Sequence, residues 1–345
     1  MKKYVIYIFI FLIAVTGCGN HKEKDVDVEA TYTITYNDDY YTIYKPYKKG
    51  VGNNYILNSN IVDFDVQSIE KNLIQISTSE FEVDKYYYQE GQLLNQKRLK
   101  DLLNDENLNK IDKKKVDGKT IKPKIIAGIY EKNFLNKSGD IKGVSLGIIL
   151  NKYHSYDSNN NYVTLSDEEV IEFGKKAGQK LVKYMRKNFK LNDVPILIAL
   201  YVESSPESNV SGNYVFYGVT SDNEITYSDL NQKNYYMNSN SVKQISENNY
   251  NNFRKFEDSI RSYDNSIYVS GLGRFDKDNL SNLDVTITKS YYSYGELLYI
   301  NQLISDKIIK YFKDVKVVVK VKAINETKSY IVKKRGESST DIFIY

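Results

Sequence analysis

Cys18 carries the most definite chemistry in the chain because of the residues before it. Val15-Thr16-Gly17-Cys18 sets an aliphatic residue and two small ones ahead of the thiol. Bacterial lipoprotein-processing enzymes read this pattern: the small residues fit a tight peptidase groove, and the thiol accepts a diacylglyceryl group before cleavage on its N-terminal side. Lys2 and Lys3 form a positive n-region, and residues 5–15 are an apolar run. That run is shorter than the roughly 20 residues of a membrane-spanning helix. Cys18 is also the only cysteine, so no internal disulfide is available.

Residues 1–17 therefore read as a lipoprotein signal peptide, and residues 18–40 as a lipid-anchored flexible tether. Removing Lys2 and Lys3 with the leader lowers the formal charge from +4 to +2. Two or three acyl chains, at ~0.8 kcal/mol per buried CH₂, hold a protein stably on a membrane where one chain would not. The expected location is the extracytoplasmic face of the bacterial cell membrane. Residues 19–30 mix both charge signs without an apolar core, and a flexible segment of that length reaches about 20 Å.

Other reactive patterns are weaker. Ser68-Ile-Glu-Lys71, Ser221-Asp-Asn223 and Lys137-Ser-Gly139 resemble the three elements of penicillin-recognising enzymes, but the K-[ST]-G element should come last and here precedes S-D-N. With Cys18 lipidated and His21 in the tether, His154 alone is left as a base, and it reads as a surface-loop residue. Two histidines and one cysteine exclude a His/Cys metal centre, and no cofactor is expected. Glu90, Glu131 and Glu203 fall at or near predicted strand ends, where a carboxylate pair could hydrolyse a glycan given a suitable separation. Gly271-Leu-Gly273 lacks the third glycine of a dinucleotide loop and reads as a turn.

The elements that must position these residues follow from composition and periodicity. Across 345 residues, 41% are hydrophobic and 27% charged, which excludes a disordered chain and a polytopic membrane protein. A net charge of +4 is too small for a dedicated nucleic-acid binder. The 33 tyrosines and the absence of Trp suit ring packing along strands. Residues 32–47 alternate as a short hairpin or extended strands. Val66, Ile69, Leu73 and Ile76 mark one helix face and Leu99, Leu102 and Leu103 a second helix, followed by a solvated loop over 104–123. Strands are expected at 125–129 and 144–150. Ser166 and Glu169 form a capping box for a helix through Val170, Phe173, Ala177, Leu181, Met185 and Phe189. Residues 194–202 are apolar at odd and even positions alike, as in a strand covered on both faces.

The last third repeats the plan. A helical stripe through Tyr250, Phe253, Phe256, Ile260 and Tyr263 matches the 66–76 helix. Strands at 267–272 and 283–287, a helix through 297–311 and strands at 315–323 and 330–332 follow in the same order. Lys316, Lys320 and Lys322 leave one face of the 315–323 strand wet. The expected fold is α+β: two tandem copies of a helix-strand-strand-helix-strand-strand unit with mixed or antiparallel sheets, at 41–228 and 229–345.

Tyr86-Tyr-Tyr-Gln-Glu-Gly-Gln-Leu-Leu94, Ala127-Gly-Ile-Tyr-Glu131, Gly143-Val-Ser-Leu-Gly-Ile-Ile-Leu-Asn151, Leu191-Asn-Asp-Val-Pro-Ile196 and Gly212-Asn-Tyr214 carry a family resemblance. From about residue 47 onward the chain resembles the CamS family of bacterial lipoproteins, the sex pheromone precursors of staphylococci and relatives. It departs from that pattern at Lys49-Gly50, where the family has Arg-Gly, and at Ser211, where it has Pro. The resemblance implies that the tail of the leader, Phe11-Leu12-Ile13-Ala14-Val15-Thr16-Gly17, is trimmed and released as a hydrophobic signalling peptide. Its partners would be lipoprotein-processing enzymes, the membrane and a peptide receptor. The expected reading is a non-enzymatic, membrane-anchored Gram-positive lipoprotein; the alternatives are a solute-binding lipoprotein of an uptake system or a carboxylate-dependent cell-wall hydrolase.

Overall fold

The computed structural model describes residues 40–52, 63–109, 113–156, 161–324 and 326–345. The leader and its flanking residues, Phe11 to Cys18 included, lie outside them. Residues 41–345 form one compact unit. In chain order the elements are β1 (Thr42–Ile43), α1 (Asp63–Ser77), β2 (Tyr87–Glu90), α2 (Gln96–Asn104), α3 (Glu106–Asn109), β3 (Lys114–Val116), β4 (Lys119–Ile121), β5 (Ile126–Leu135), β6 (Ile141–Leu150), β7 (Tyr153–Ser155), β8 (Tyr162–Thr164), α4 (Asp167–Phe189), β9 (Ile196–Val202), β10 (Asn213–Thr220) and β11 (Ser228–Asp229). The second sheet and its helices follow as β12 (Gln232–Tyr236), α5 (Asn240–Ile245), α6 (Glu247–Arg261), β13 (Tyr268–Asp276), β14 (Asn279–Lys289), α7 (Tyr294–Tyr311), β15 (Lys316–Ala323), β16 (Glu326–Lys333) and β17 (Asp341–Ile344). The fold is mixed α/β, with seven helices among the described residues.

The first sheet has the order β1-β2-β5-β6-β9-β10-β11 and the second β12-β13-β14-β15-β16-β17. Both are mixed. In the first, β5–β6 is antiparallel, β6–β9 parallel and β9–β10 antiparallel. In the second, β13–β14, β14–β15 and β15–β16 repeat that sequence of directions. A parallel neighbour needs a crossover, and α4 and α7 supply it. Both helices begin on a serine that accepts a first-turn N–H: Ser166 from Glu169, Ser293 from Glu296. The chain passes from one sheet to the other between Asp229 and Gln232.

Strand β9 is buried on both faces, as its unbroken apolar run requires. Leu197, Ala199 and Tyr201 pack with Ile69 and Leu73 of α1, while Ile196, Ile198 and Leu200 pack with Val170, Leu181 and Met185 of α4. The second sheet gathers its apolar core on one face. Val317, Val319 and Val321 join Phe253, Phe256 and Ile260 of α6 and Ile300, Ile304 and Ile308 of α7 in a single core. Lys316, Lys320 and Lys322 lie on the other, wetter face.

Two expectations need correction. The 250–263 helix does not take the place of the 66–76 helix: α1 lies on the face opposite α4, whereas α6 shares a core with α7. The spatial counterpart of α6 is α2, whose Leu99, Leu102 and Leu103 pack on the α4 side. The solvated loop at 104–123 instead holds α3 and the β3–β4 hairpin. Asp117 and Gly118 turn that hairpin with φ 48° and 76°, the pairing of positive angles that a two-residue turn of this kind needs. Asn109 is buried, its amide donating to the Ile126 and Leu103 carbonyls and its side-chain carbonyl accepting from the Ile126 N–H. Within the 32–47 stretch, residues 32–39 lie outside the described residues, and β1 is an extended strand that runs parallel to β2, with Thr42 opposite Tyr87.

Candidate functional site

The motif residues converge around β5. Strand β2 pairs with it so that Glu90 stands opposite Lys132, and residues 91–94 then turn across its edge. There the backbone N–H groups of Gln92 (3.1 Å), Leu93 (3.0 Å) and Leu94 (2.7 Å) all donate to the Glu131 carboxylate. Gly91 permits this approach: a Cβ on it would stand 2.6 Å from the Glu131 Cβ and 2.8 Å from its carbonyl oxygen. The Val51 N–H donates to the Gly91 carbonyl (3.0 Å), and the Gln92 amide donates to the Lys49 carbonyl (3.0 Å). Residues 49–52 thus close the turn from outside. Burial pushes the Glu131 carboxyl above its ordinary range, against the downward pull of the three N–H groups.

Alternation along β5 sends its next side chain to the opposite face. The Lys132 ammonium is fully buried and donates to Glu90 (2.8 Å) and to Glu70 of α1 (3.2 Å). The Tyr88 hydroxyl donates to the other Glu90 oxygen (2.6 Å), and burial holds Tyr88 far above the usual phenol range. Tyr214, from the Gly-Asn-Tyr motif, reaches α1 by donating to the Ile69 carbonyl (3.2 Å) and packs edge-on against Tyr201. These contacts fasten α1 to the sheet. They bring acids, a base and phenols together as mutual partners.

The carboxylates at 90, 131 and 203 do not share a cleft. Glu90 and Glu131 occupy opposite faces of the sheet. Glu203 follows β9, its N–H donating to the Leu150 carbonyl, whereas Glu131 pairs with Leu146. Four residues of strand separate those positions, on the order of 13 Å. The Ser68 hydroxyl accepts hydrogen bonds from the Asn72 amide and the Ser211 hydroxyl. Ser221 lies beyond the far end of β10 from Ser211, and Lys137 in the β5–β6 turn, so the three penicillin-enzyme look-alikes are not assembled. His154 sits in β7 rather than a loop; its Nε2 faces the Asn151 carbonyl (3.0 Å) and burial pulls its pKa down. Gly271 and Gly273 are not in a turn but inside β13, where a Cβ would strike the Phe253 ring and the Met237 sulfur. No group of three His, Cys, Asp or Glu side chains suited to a metal ion occurs among the described residues. Nor is any helix among them long and apolar enough to cross a membrane.

The model of the family described as the CamS sex pheromone cAM373 precursor matches residues 47–339. The chain belongs to the CamS family. Among solved structures, it is similar to a sex pheromone precursor from Lactobacillus salivarius subsp. salivarius UCC118, at 26% identity and a TM-score of 0.74, over 81% of this chain and 87% of that one. The fold is also that of the C-terminal domain of the sex pheromone staph-cAM373 precursor from Staphylococcus aureus, at 24% identity and a TM-score of 0.72, over 83% of this chain and 98% of the other. A comparison with curated protein sequences found no match. The CamS motifs quoted above thus coincide with the Glu131 turn, the Lys132 cluster and the Tyr214 contact. Lys132 and Glu70 were not singled out from sequence. The available signal was the run Glu131-Lys132-Asn133 with apolar residues on both sides of it.

A second charged cluster lies where β14 meets α7. Lys289 pairs with Glu296 and with Asp264 (2.7 Å), and it holds the Asp264 carboxyl at about 2 against an ordinary 3.8. A carboxyl with a depressed folded pKa stabilises above its unfolded value and loses that contribution as pH falls through the folded one. Asp264→Asn is therefore expected to flatten the loss of stability between pH ~4 and ~2, read as urea midpoints along a pH series. An unchanged acid limb would remove Lys289 as the cause.

Proposed function

We propose that this CamS protein is a non-enzymatic lipoprotein held on the outer face of the cell membrane by a diacylglyceryl group on Cys18. Its 1–17 leader is cut at Gly17, and Phe11–Gly17 is released as a hydrophobic peptide signal. The observation that carries this reading is the coincidence of the Val15-Thr16-Gly17-Cys18 pattern with a match to a pheromone-precursor family over residues 47–339. The non-enzymatic part is supported by Glu90, Glu131 and Glu203 being committed to separate places. We further propose that the two halves descend from one duplicated unit. The shared antiparallel-parallel-antiparallel strand order with its crossover helix supports this, with α1 as an addition to the first copy.

Mass spectrometry tests the reading on two fractions. The membrane-bound chain should begin at a diacylated Cys18, and the culture medium should contain a peptide within Phe11–Gly17. Cys18→Ser should abolish processing at Gly17. If that variant is still cut and remains as tightly on the membrane, the anchor is wrong; if the anchor holds and no peptide appears, the signalling role alone is lost.

A further inference from the structure

Strand β17 is the outer strand of the second sheet and, among the described residues, pairs only with β16. The Tyr345 N–H donates to the Lys328 carbonyl (2.9 Å), and Phe343 stands opposite Tyr330. With a period of two, the N–H and C=O groups of Asp341 and Phe343 then point toward β16, and those of Ile342 and Ile344 point out of the sheet edge. The side chains match this openness. Ile342 is 38% exposed, Phe343 53% and Ile344 37%. An apolar edge with bare backbone is a template for another strand, and proteins ordinarily blunt such edges with Lys, Pro or a bulge. β17 has none of these; its one charge is Asp341. The strand lies beyond the part of the chain matched by the family model.

We infer that β17 pairs antiparallel with β17 of a second copy of this chain, about a two-fold axis at Phe343. The occupant follows from the side chains, since Ile-Phe-Ile reads the same in both directions. The two-fold sets Ile342 against the partner's Ile344, and Phe343 against the partner's Phe343, as a self-complementary interface requires. Ile342 and Ile344 then exchange about four backbone hydrogen bonds across the axis, joining the two six-stranded sheets into one. Three exposed apolar side chains from each copy make a small interface, so the dimer is weak and concentration-dependent.

Because Cys18 is the only cysteine and is consumed by lipid in the proposed mature form, Phe343→Cys tests the geometry in the full chain on membranes. It should give a disulfide-linked dimer that reductant dissolves, while Lys277→Cys, in the exposed β13–β14 turn, stays monomeric. Adding Ile344→Lys should cut the cross-linked fraction at least about tenfold. Independently, sedimentation equilibrium of the chain produced without residues 1–18, which keeps the whole 41–345 unit, should show a concentration-dependent dimer that Phe343→Lys abolishes. Hydrogen exchange should slow at the Ile342 and Ile344 amides only as the dimer forms. Cross-linking at 343 no greater than at 277, a dimer indifferent to Ile344→Lys, or protection of those amides in a monomer, as a bound peptide would give, each overturns the inference.

Discussion

Lys132→Met is expected to destabilise the protein by about 3–5 kcal/mol, the usual cost of removing one member of a buried ion pair. The ammonium is wholly shielded from solvent and is the common partner of Glu90 and Glu70. Without it, Glu90 loses its closest cation while remaining largely buried. The methionine fills the space but neutralises nothing. For a folded unit of this size the loss corresponds to roughly 5–8 °C in Tm, and calorimetry of the wild type and the variant measures it. A packing explanation and a charge explanation separate cleanly in Lys132→Met with Glu90→Gln. If charge dominates, the second substitution restores a large share of the loss; if the pair is additive, the ion pair contributes little and the prediction fails.

The second large effect concerns the turn over β5. Glu131→Ala is expected to cost about 3–5 kcal/mol, because three backbone N–H groups lose their acceptor in a buried site and each unsatisfied donor costs about 1–3 kcal/mol, less than additively. Gln92, Leu93 and Leu94 cannot turn elsewhere, since Val51 and Lys49 hold the same stretch from outside. Glu131→Gln keeps an acceptor oxygen and should cost less. It also tests the titration. A carboxyl raised above its ordinary 4.5 by burial stabilises fully below that value, and the contribution is lost as pH rises toward the folded pKa. Urea midpoints of the wild type should therefore carry a decline above pH ~4.5 that the Gln variant lacks. A Gln variant with the same decline would place the titrating group elsewhere.

Much of this architecture could be read from residue order, and the failures have physical causes. Strand β9 was legible because hydrophobicity at both parities allows only a doubly covered strand, and α4 because Ser166 and Glu169 mark its start. The β3–β4 hairpin was missed although Asp117-Gly118 is a turn signal, because its strands are short and lysine-rich and bury almost nothing. Asn109 was hidden by composition: in a stretch full of asparagine, the one that stitches α3 to β5 looks like its solvated neighbours. The Lys132 cluster was illegible for a different reason. Strand β5 was expected to end near Ile129 because Glu131, Lys132 and Asn133 look polar, yet their partners come from α1, β2 and the 91–94 turn, which only the tertiary fold supplies. The mismatch of α1 with α6 has the same origin, since periodicity shows that a helix has an apolar stripe and not which side of a sheet receives it.

The wetter face of the second sheet has a practical consequence. Strand β9 offers no position where a bulky label could be accommodated, whereas β15 presents Lys316, Lys320 and Lys322 at every second or fourth residue beside a core that does not include them. Spin probes or affinity handles attached at those positions through an introduced cysteine would report on the molecule in its native surroundings while leaving its interior undisturbed.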